Sequence, residues 1–137
     1  MPYQLTFNSR YEYSSFDEGI TVEMALGLGE HIAACQAKVD PGAQVCLFQR
    51  EIGERLGLDI EQGSRKILKT LAGSLIAYGH SVTLYTLGVE FDSVVYFAAD
   101  SGLSRNLLGR EGWLLKVRLA LVDYDSTLYL SPYQNQE

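Results

Sequence analysis

A chain of 137 residues is long enough to bury a real core and too short for two lobes of ordinary size, so a single domain over residues 1–137 is expected. Its net charge of -6, with Lys and Arg scattered along the chain, leaves no basic footprint and argues against nucleic acid as a partner. No apolar run approaches the ~20 residues that span a bilayer, and Met1-Pro2-Tyr3-Gln4 lacks the layout of a signal peptide, so the expectation is a cytoplasmic chain with no membrane partner.

Tyr3 to Phe7 alternates apolar and polar residues and reads as a short strand, at an edge or interface. Asn8 to Glu18 shows no period and reads as an ordered loop whose Tyr11, Tyr13 and Phe16 cover a core. Ile20 to Leu26 and His31 to Val39 are paired strands about the turn Gly27-Leu28-Gly29-Glu30, and they feed directly into Asp40. Beyond the Asp40 bend, Val45 to Phe48 is a short apolar strand. Ile52 and Leu56, one helical turn apart, with Gly57 as the stop, predict a short amphipathic helix.

Gly63-Ser64 is the next break. Lys66 to Leu71 and Leu75 to Tyr78 read as strand pieces about an Ala72-Gly73-Ser74 tip. Ser81 to Leu87 and Val89 to Phe97, about Gly88, form a third hairpin rich in Val, Tyr, Phe and Thr. Ala99 to Arg105 is a loop, and the second half of Asn106 to Trp113 starts a short helix. Val117 to Val122 and Thr127 to Leu130 close the chain about the Asp123-Tyr124-Asp125-Ser126 turn. Short strands at turn intervals with one or two short helices predict a mainly β domain, a closed or partly closed barrel.

Asp40, placed where an apolar run gives way to Pro41-Gly42-Ala43, is the carboxylate that invites chemistry. The other candidates are weaker. His31 and His80 have no nucleophile pattern beside them, and Asp123 and Asp125 flank a turn where Asp is expected. Trp113 is most simply a core residue. Cys35 and Cys46 lack any CxxC spacing and do not readily share a ligand set with His31, so neither a metal nor a cofactor is expected.

Val39-Asp40-Pro41-Gly42-Ala43, the helix ending in Leu56-Gly57-Leu58, the Gly73 hairpin and Leu107-Leu108-Gly109-Arg110 together resemble the retropepsin-like aspartic proteases, over about residues 20–130 and in family order. The resemblance implies a closed β-barrel with Asp40 as the catalytic carboxylate in an active-site loop with Pro41, Gly42 and Ala43. It implies a substrate-covering flap at Ala72, Gly73, Ser74, Leu75, Ile76 and Ala77. Leu107, Leu108, Gly109 and Arg110 would thread behind the loop. Such proteases need two carboxylates sharing one proton, so one Asp40 per chain implies a homodimer acting on a peptide or protein substrate. The terminal strands would be the interface by analogy.

Asp100-Ser101-Gly102-Leu103-Ser104 also spells the motif, but the tail after it cannot supply a second helix, flap and threading segment, so it reads as a loop. Two positions depart from the family pattern. Pro41 stands where a Thr or Ser hydroxyl braces the paired loops. Gln44 stands where retroviral members place an Asp that pairs with the Arg after the late Gly; Gln44 with Arg110, or Arg110 with another carboxylate, are both open from sequence. The expected function is therefore an aspartic endopeptidase; the alternative is a dimer of the same fold, impaired at Pro41, that binds peptides or assembles.

Overall fold

The computed structural model describes residues 1–134; Asn135, Gln136 and Glu137, the end of the expected domain, lie outside the described residues. The strands are β1 (Ser9–Glu12), β2 (Thr21–Leu28), β3 (His31–Val39), β4 (Leu47–Phe48), β5 (Ser64–Thr70), β6 (Gly73–Thr86), β7 (Val89–Ala98), β8 (Asn106–Leu108), β9 (Val117–Val122) and β10 (Thr127–Pro132), with α1 at Arg50–Arg55. One sheet runs β2-β3-β8-β4-β7-β6-β5, and β6 also pairs with β2 from Met24↔Thr86 to Gly27↔Thr83. That extra pairing closes six strands into the barrel of a retropepsin-like fold, and β5 projects from β6 as a free arm. A second, three-stranded sheet in the order β1-β10-β9 packs beside it.

Alternation along the strands builds the core. Val22 and Leu26 from β2, Leu84 from β6, Phe97 from β7 and Leu108 from β8 are all fully buried and meet Phe48, Ile52 and Trp113. Trp113 is a core residue as expected, and its indole N–H donates to Thr86 Oγ1 at 3.2 Å, which satisfies the polar edge of a buried ring. The predicted helix forms as α1, with Ile52 and Leu56 inward and Gly57 at φ +80° just past its end. Arg50 holds it with a fork onto Glu61 at 2.6 and 2.9 Å and a bond to Ala99 O at 2.8 Å. Among the described residues no helix is long and apolar enough to cross a membrane.

Several local expectations are corrected. No strand forms at Tyr3 to Phe7: Tyr3 and Leu5 are exposed, and the first strand lies instead in the supposed loop, where Ser9 to Glu12 pair with Leu130 to Thr127. Phe7 rests on Tyr129 with ring centroids 6.0 Å apart, so its burial is bought from the far end of the chain and not from a local partner. Tyr11 and Tyr13 pack on the core, but Phe16 is exposed.

The two pieces around Gly79 are one strand, β6, because every residue from Ala77 to Thr86 has a ladder partner on β7. Gly79 does not break that strand; it makes room for Tyr96, whose ring would lie 3.0 Å from a Cβ there. After β8 the expected helix is replaced by a 3-10 turn at Leu114–Lys116. Asp123–Asp125 also forms a 3-10 turn.

Candidate active site

Asp40 leaves β3 at the mouth of the barrel. Val39 N–H donates to Ile20 O at 2.8 Å and Asp40 N–H to Leu108 O at 2.9 Å, so the backbone at the carboxylate is fastened on one side to the residue before β2 and on the other to β8. The chain then turns. Ala43 N–H reaches Asp40 O at 3.1 Å, and Gly42 N–H reaches Asp40 Oδ1 at 3.0 Å. An Asp that accepts from the amide two residues on favours such a turn, and the position after it suits the fixed φ of proline. The three amide bonds of this loop come from Asp40, Gly42 and Ala43, so none requires the N–H that Pro41 lacks. Asp40 is half-buried, and its second carboxylate oxygen has no partner among the described residues.

The segment from Leu107 to Arg110 runs beside the Asp40 loop. Leu107 and Leu108 form part of β8, which inserts between β3 and β4. Gly109 then passes under the loop so closely that a Cβ would stand 2.2 Å from Val45 O and 2.8 Å from Ala43 O. Arg110 N–H donates to Ala43 O at 2.9 Å and Glu111 N–H to Gln44 O at 2.8 Å, which ties the two segments together. The Gln44 side chain donates to Glu111 Oε2 at 2.9 Å, so its partner is the neighbour of Arg110. Arg110 itself is exposed and has no ion pair among the described residues. Buried Cys46 accepts from Gly109 N–H at 3.4 Å, and burial pushes its thiol up to about 11, which suits a packing role under the loop.

Two cavities flank the loop. One of about 470 Å³ runs between Gly42, Ala43, Gln44, Val45, Leu47 and Leu107 on one side and Lys66 to Thr70 of β5 on the other. The other, about 500 Å³, is lined by Tyr13, Lys38, Asp40, Pro41 and Asp123 among others. Another cavity, about 540 Å³, lies over Cys35, Gln36 and Arg55 and does not include the Asp40 loop. Size is a poor guide here, because chemistry needs the carboxylate and the covering hairpin beside the cleft.

The residues expected to form a flap lie on the hairpin β5–β6, distributed differently along it. Its apex is Leu71 and Ala72, between Thr70 and Gly73, and Gly73 at φ +125° already belongs to β6. Ser74, Leu75, Ile76 and Ala77 follow on β6, with Ala77 fully buried. The cleft wall is formed by Lys66, Ile67, Leu68, Lys69 and Thr70, which sequence reasoning did not single out. Alternation alone does not say which arm of a hairpin faces a cleft; the cluster of Lys residues was the available signal.

The floor of the second cavity is closed by a long-range bond. The Tyr13 hydroxyl donates to Asp123 Oδ1, so the Asp123 side chain bonds across the fold. Burial first, and then the Asp123 carboxylate, pushes this phenol from 10.0 up to about 12. A group whose folded-state pKa is raised stabilises the fold fully below the unfolded value and ceases to do so as pH rises through the folded one. Thermal melts between pH 10 and 12 are therefore expected to show a fall in Tm with rising pH that is shallower in Tyr13→Phe.

The remaining candidates stand apart from the loop. Asp100 to Ser104 form the irregular connection between β7 and β8, where Leu103 O accepts from the Gln49 side chain at 2.8 Å. His80 is held against Ile60 O at 2.8 Å, and His31 is exposed on β3. Among the described residues no three of His, Cys, Asp and Glu cluster closely enough to hold a metal ion.

The family described as aspartyl protease is matched over residues 22–111, a span that holds the barrel strands β2 to β8, the Asp40 loop and the threading segment. Among solved structures, the chain is similar to a retropepsin-like aspartic protease from Rickettsia conorii at 17% identity and a TM-score of 0.63, covering 89% of this chain and 96% of that one. It is also similar to EIAV protease in complex with an inhibitor, at 15% identity and a TM-score of 0.54, covering 71% and 86%. No curated protein sequence matches it.

Proposed function

The chain belongs to the aspartyl protease family, and on that premise we propose that it is a homodimeric endopeptidase in which Asp40 from each of two subunits activates a water against a peptide bond. The observation that carries this reading is the Asp40 carboxylate itself: hydrogen-bonded within its own turn, with one oxygen unpartnered, lining one cavity while Gly42 and Ala43 of the same loop, backed by Gly109, line the cleft under β5. Such a loop supplies one carboxylate per chain. Two carboxylates brought within a few ångströms on a two-fold axis cannot both ionise, so they share one proton.

The ionised Asp40 takes a proton from water as the oxygen attacks the carbonyl carbon. Asp40 of the partner subunit, protonated, donates to the carbonyl oxygen. Collapse of the tetrahedral intermediate breaks the C–N bond and returns a proton to the amine, leaving a carboxyl and an amino terminus. The apolar residues left exposed at the N-terminal segment, Tyr3 and Leu5, and at Val122 on β9 support a partner chain at the three-stranded sheet.

The test is cleavage of an unstructured protein between about pH 4 and 6, blocked by pepstatin, by a chain that sediments as a dimer. Pro41→Thr restores the hydroxyl that would brace the paired loops. Since a misplacement near 1 Å in a catalytic pair is worth about 100-fold, this variant is expected to raise kcat/KM by about tenfold or more. A folded dimer that cleaves nothing across that range, with or without Pro41→Thr, would overturn the reading.

A further inference from the structure

The β5 arm carries charge that its own chain leaves unanswered. Between Gln62 and Val89 the sequence contains Arg65, Lys66 and Lys69 and not one Asp or Glu, in a chain whose net charge is -6. None of the three has an ion-pair partner among the described residues. Lys66 is half-buried with its Nζ 5.9 Å from the centre of the Tyr96 ring, a contact that holds the ammonium at the edge of the barrel. Lys66 and Lys69 both line the cavity of about 470 Å³ beside the Asp40 loop. The wall opposite them is mostly apolar, from Ala43, Val45, Leu47 and Leu107, with Gln44 as its polar member. Glu111, beside the threading segment, is engaged by the Gln44 amide.

A partly aliphatic wall with two lysines on the strand that borders it fits a side chain with a short apolar stem and an anionic end. We propose that this cleft selects peptides carrying Glu or Asp in the pocket under β5, with Lys66 and Lys69 as the residues that set the preference. The inference rests on reading the cleft as the peptide site. Two-fold symmetry would place one such pocket on each side of the scissile bond, so the favoured peptides carry acidic residues on both flanks. The overall charge of the chain works against acidic ligands, so an acidic preference has to arise locally.

A proteome-derived peptide library digested by the dimer, with the cleavage sites read by mass spectrometry, tests this. Glu and Asp are expected to be enriched about three- to tenfold at one position or more, the size of one or two partly exposed charge pairs. Lys66→Glu with Lys69→Glu is expected to shift the preference to Lys and Arg, and Lys69→Glu alone, at an exposed site, to weaken it. Cleavage with no acidic preference, or with one unmoved by charge reversal, would overturn the inference and leave the protease reading standing. If nothing is cleaved, the library is passed over immobilised Asp40→Asn protein. Retention of acidic peptides would then uphold the inference while the protease reading fails, and retention without regard to charge would overturn both.

Discussion

Asp40→Asn is expected to reduce peptide cleavage by about 1,000- to 10,000-fold while leaving the fold intact. The separation of these two effects follows from the loop geometry. Asp40 holds its turn through Oδ1, which accepts the Gly42 amide at 3.0 Å, and the carbonyl oxygen of Asn can accept the same bond. The Asp40 N–H to Leu108 O bond belongs to the backbone and is unaffected. What Asn lacks is the ionised form, so neither a base toward water nor a shared proton survives. Tm is expected to stay within about 3 °C, since the stability difference is below ~1 kcal/mol.

A mixing experiment makes the prediction sharper. If the site needs one Asp40 from each subunit, an excess of Asp40→Asn chain should inactivate the wild-type protein by subunit exchange, because the mixed dimer has only one ionisable carboxylate at its centre. Activity that is merely diluted by the variant would mean that each chain works alone, and the dyad would be wrong. A loss of less than tenfold in the pure variant would likewise remove Asp40 from the chemistry.

How much of this arrangement could be read from sequence depends on how local its causes are. The Asp40 turn is specified by three neighbours, since Asp, Pro and Gly each favour that bend for their own reasons, and the motif was legible. The threading segment was legible for a similar reason: an apolar pair followed by Gly109 is a short signal, and only Gly tolerates the approach to Val45 O. The first strand was misplaced because its cause is remote. Ser9 to Glu12 pair with Leu130 to Thr127, and Phe7 finds Tyr129, so the local alternation at Tyr3 to Phe7 pointed to the wrong segment. The partner of Gln44 was open for a third reason. Sequence offered Arg110 to Gln44 or another carboxylate to Arg110, and the partner found is Glu111, brought beside the loop by its bridge to Val45.

Gly109→Ala is the substitution expected to damage the fold most for its size. The glycine has no positive φ, so its need is spatial: the added carbon would lie 2.2 Å from Val45 O, 2.7 Å from the Val45 carbonyl carbon and 2.8 Å from Ala43 O. All three are backbone atoms fixed by their own bonds. Ala43 O accepts Arg110 N–H at 2.9 Å, and Val45 is bridged to Glu111, so neither can retreat without opening the loop that carries Asp40. Overpacking of this kind typically costs 1–3 kcal/mol, and a rigid backbone obstacle places it at or above the upper end, about 3 kcal/mol, with a fall in Tm of roughly 10 °C or more. Gly29→Ala provides the contrast. Its φ of +59° strains any side chain, but nothing lies within 4 Å of the added carbon. Only the backbone penalty applies there, about 1–2 kcal/mol, with no reason for the Asp40 loop to move. Calorimetric melts of the two variants, read beside their cleavage rates, separate the effects: Gly29→Ala should lose stability and keep its rate per folded molecule, whereas Gly109→Ala should lose both together. Equal losses in the two variants would mean that the threading segment does not support the loop, and the catalytic geometry would have to be held from elsewhere.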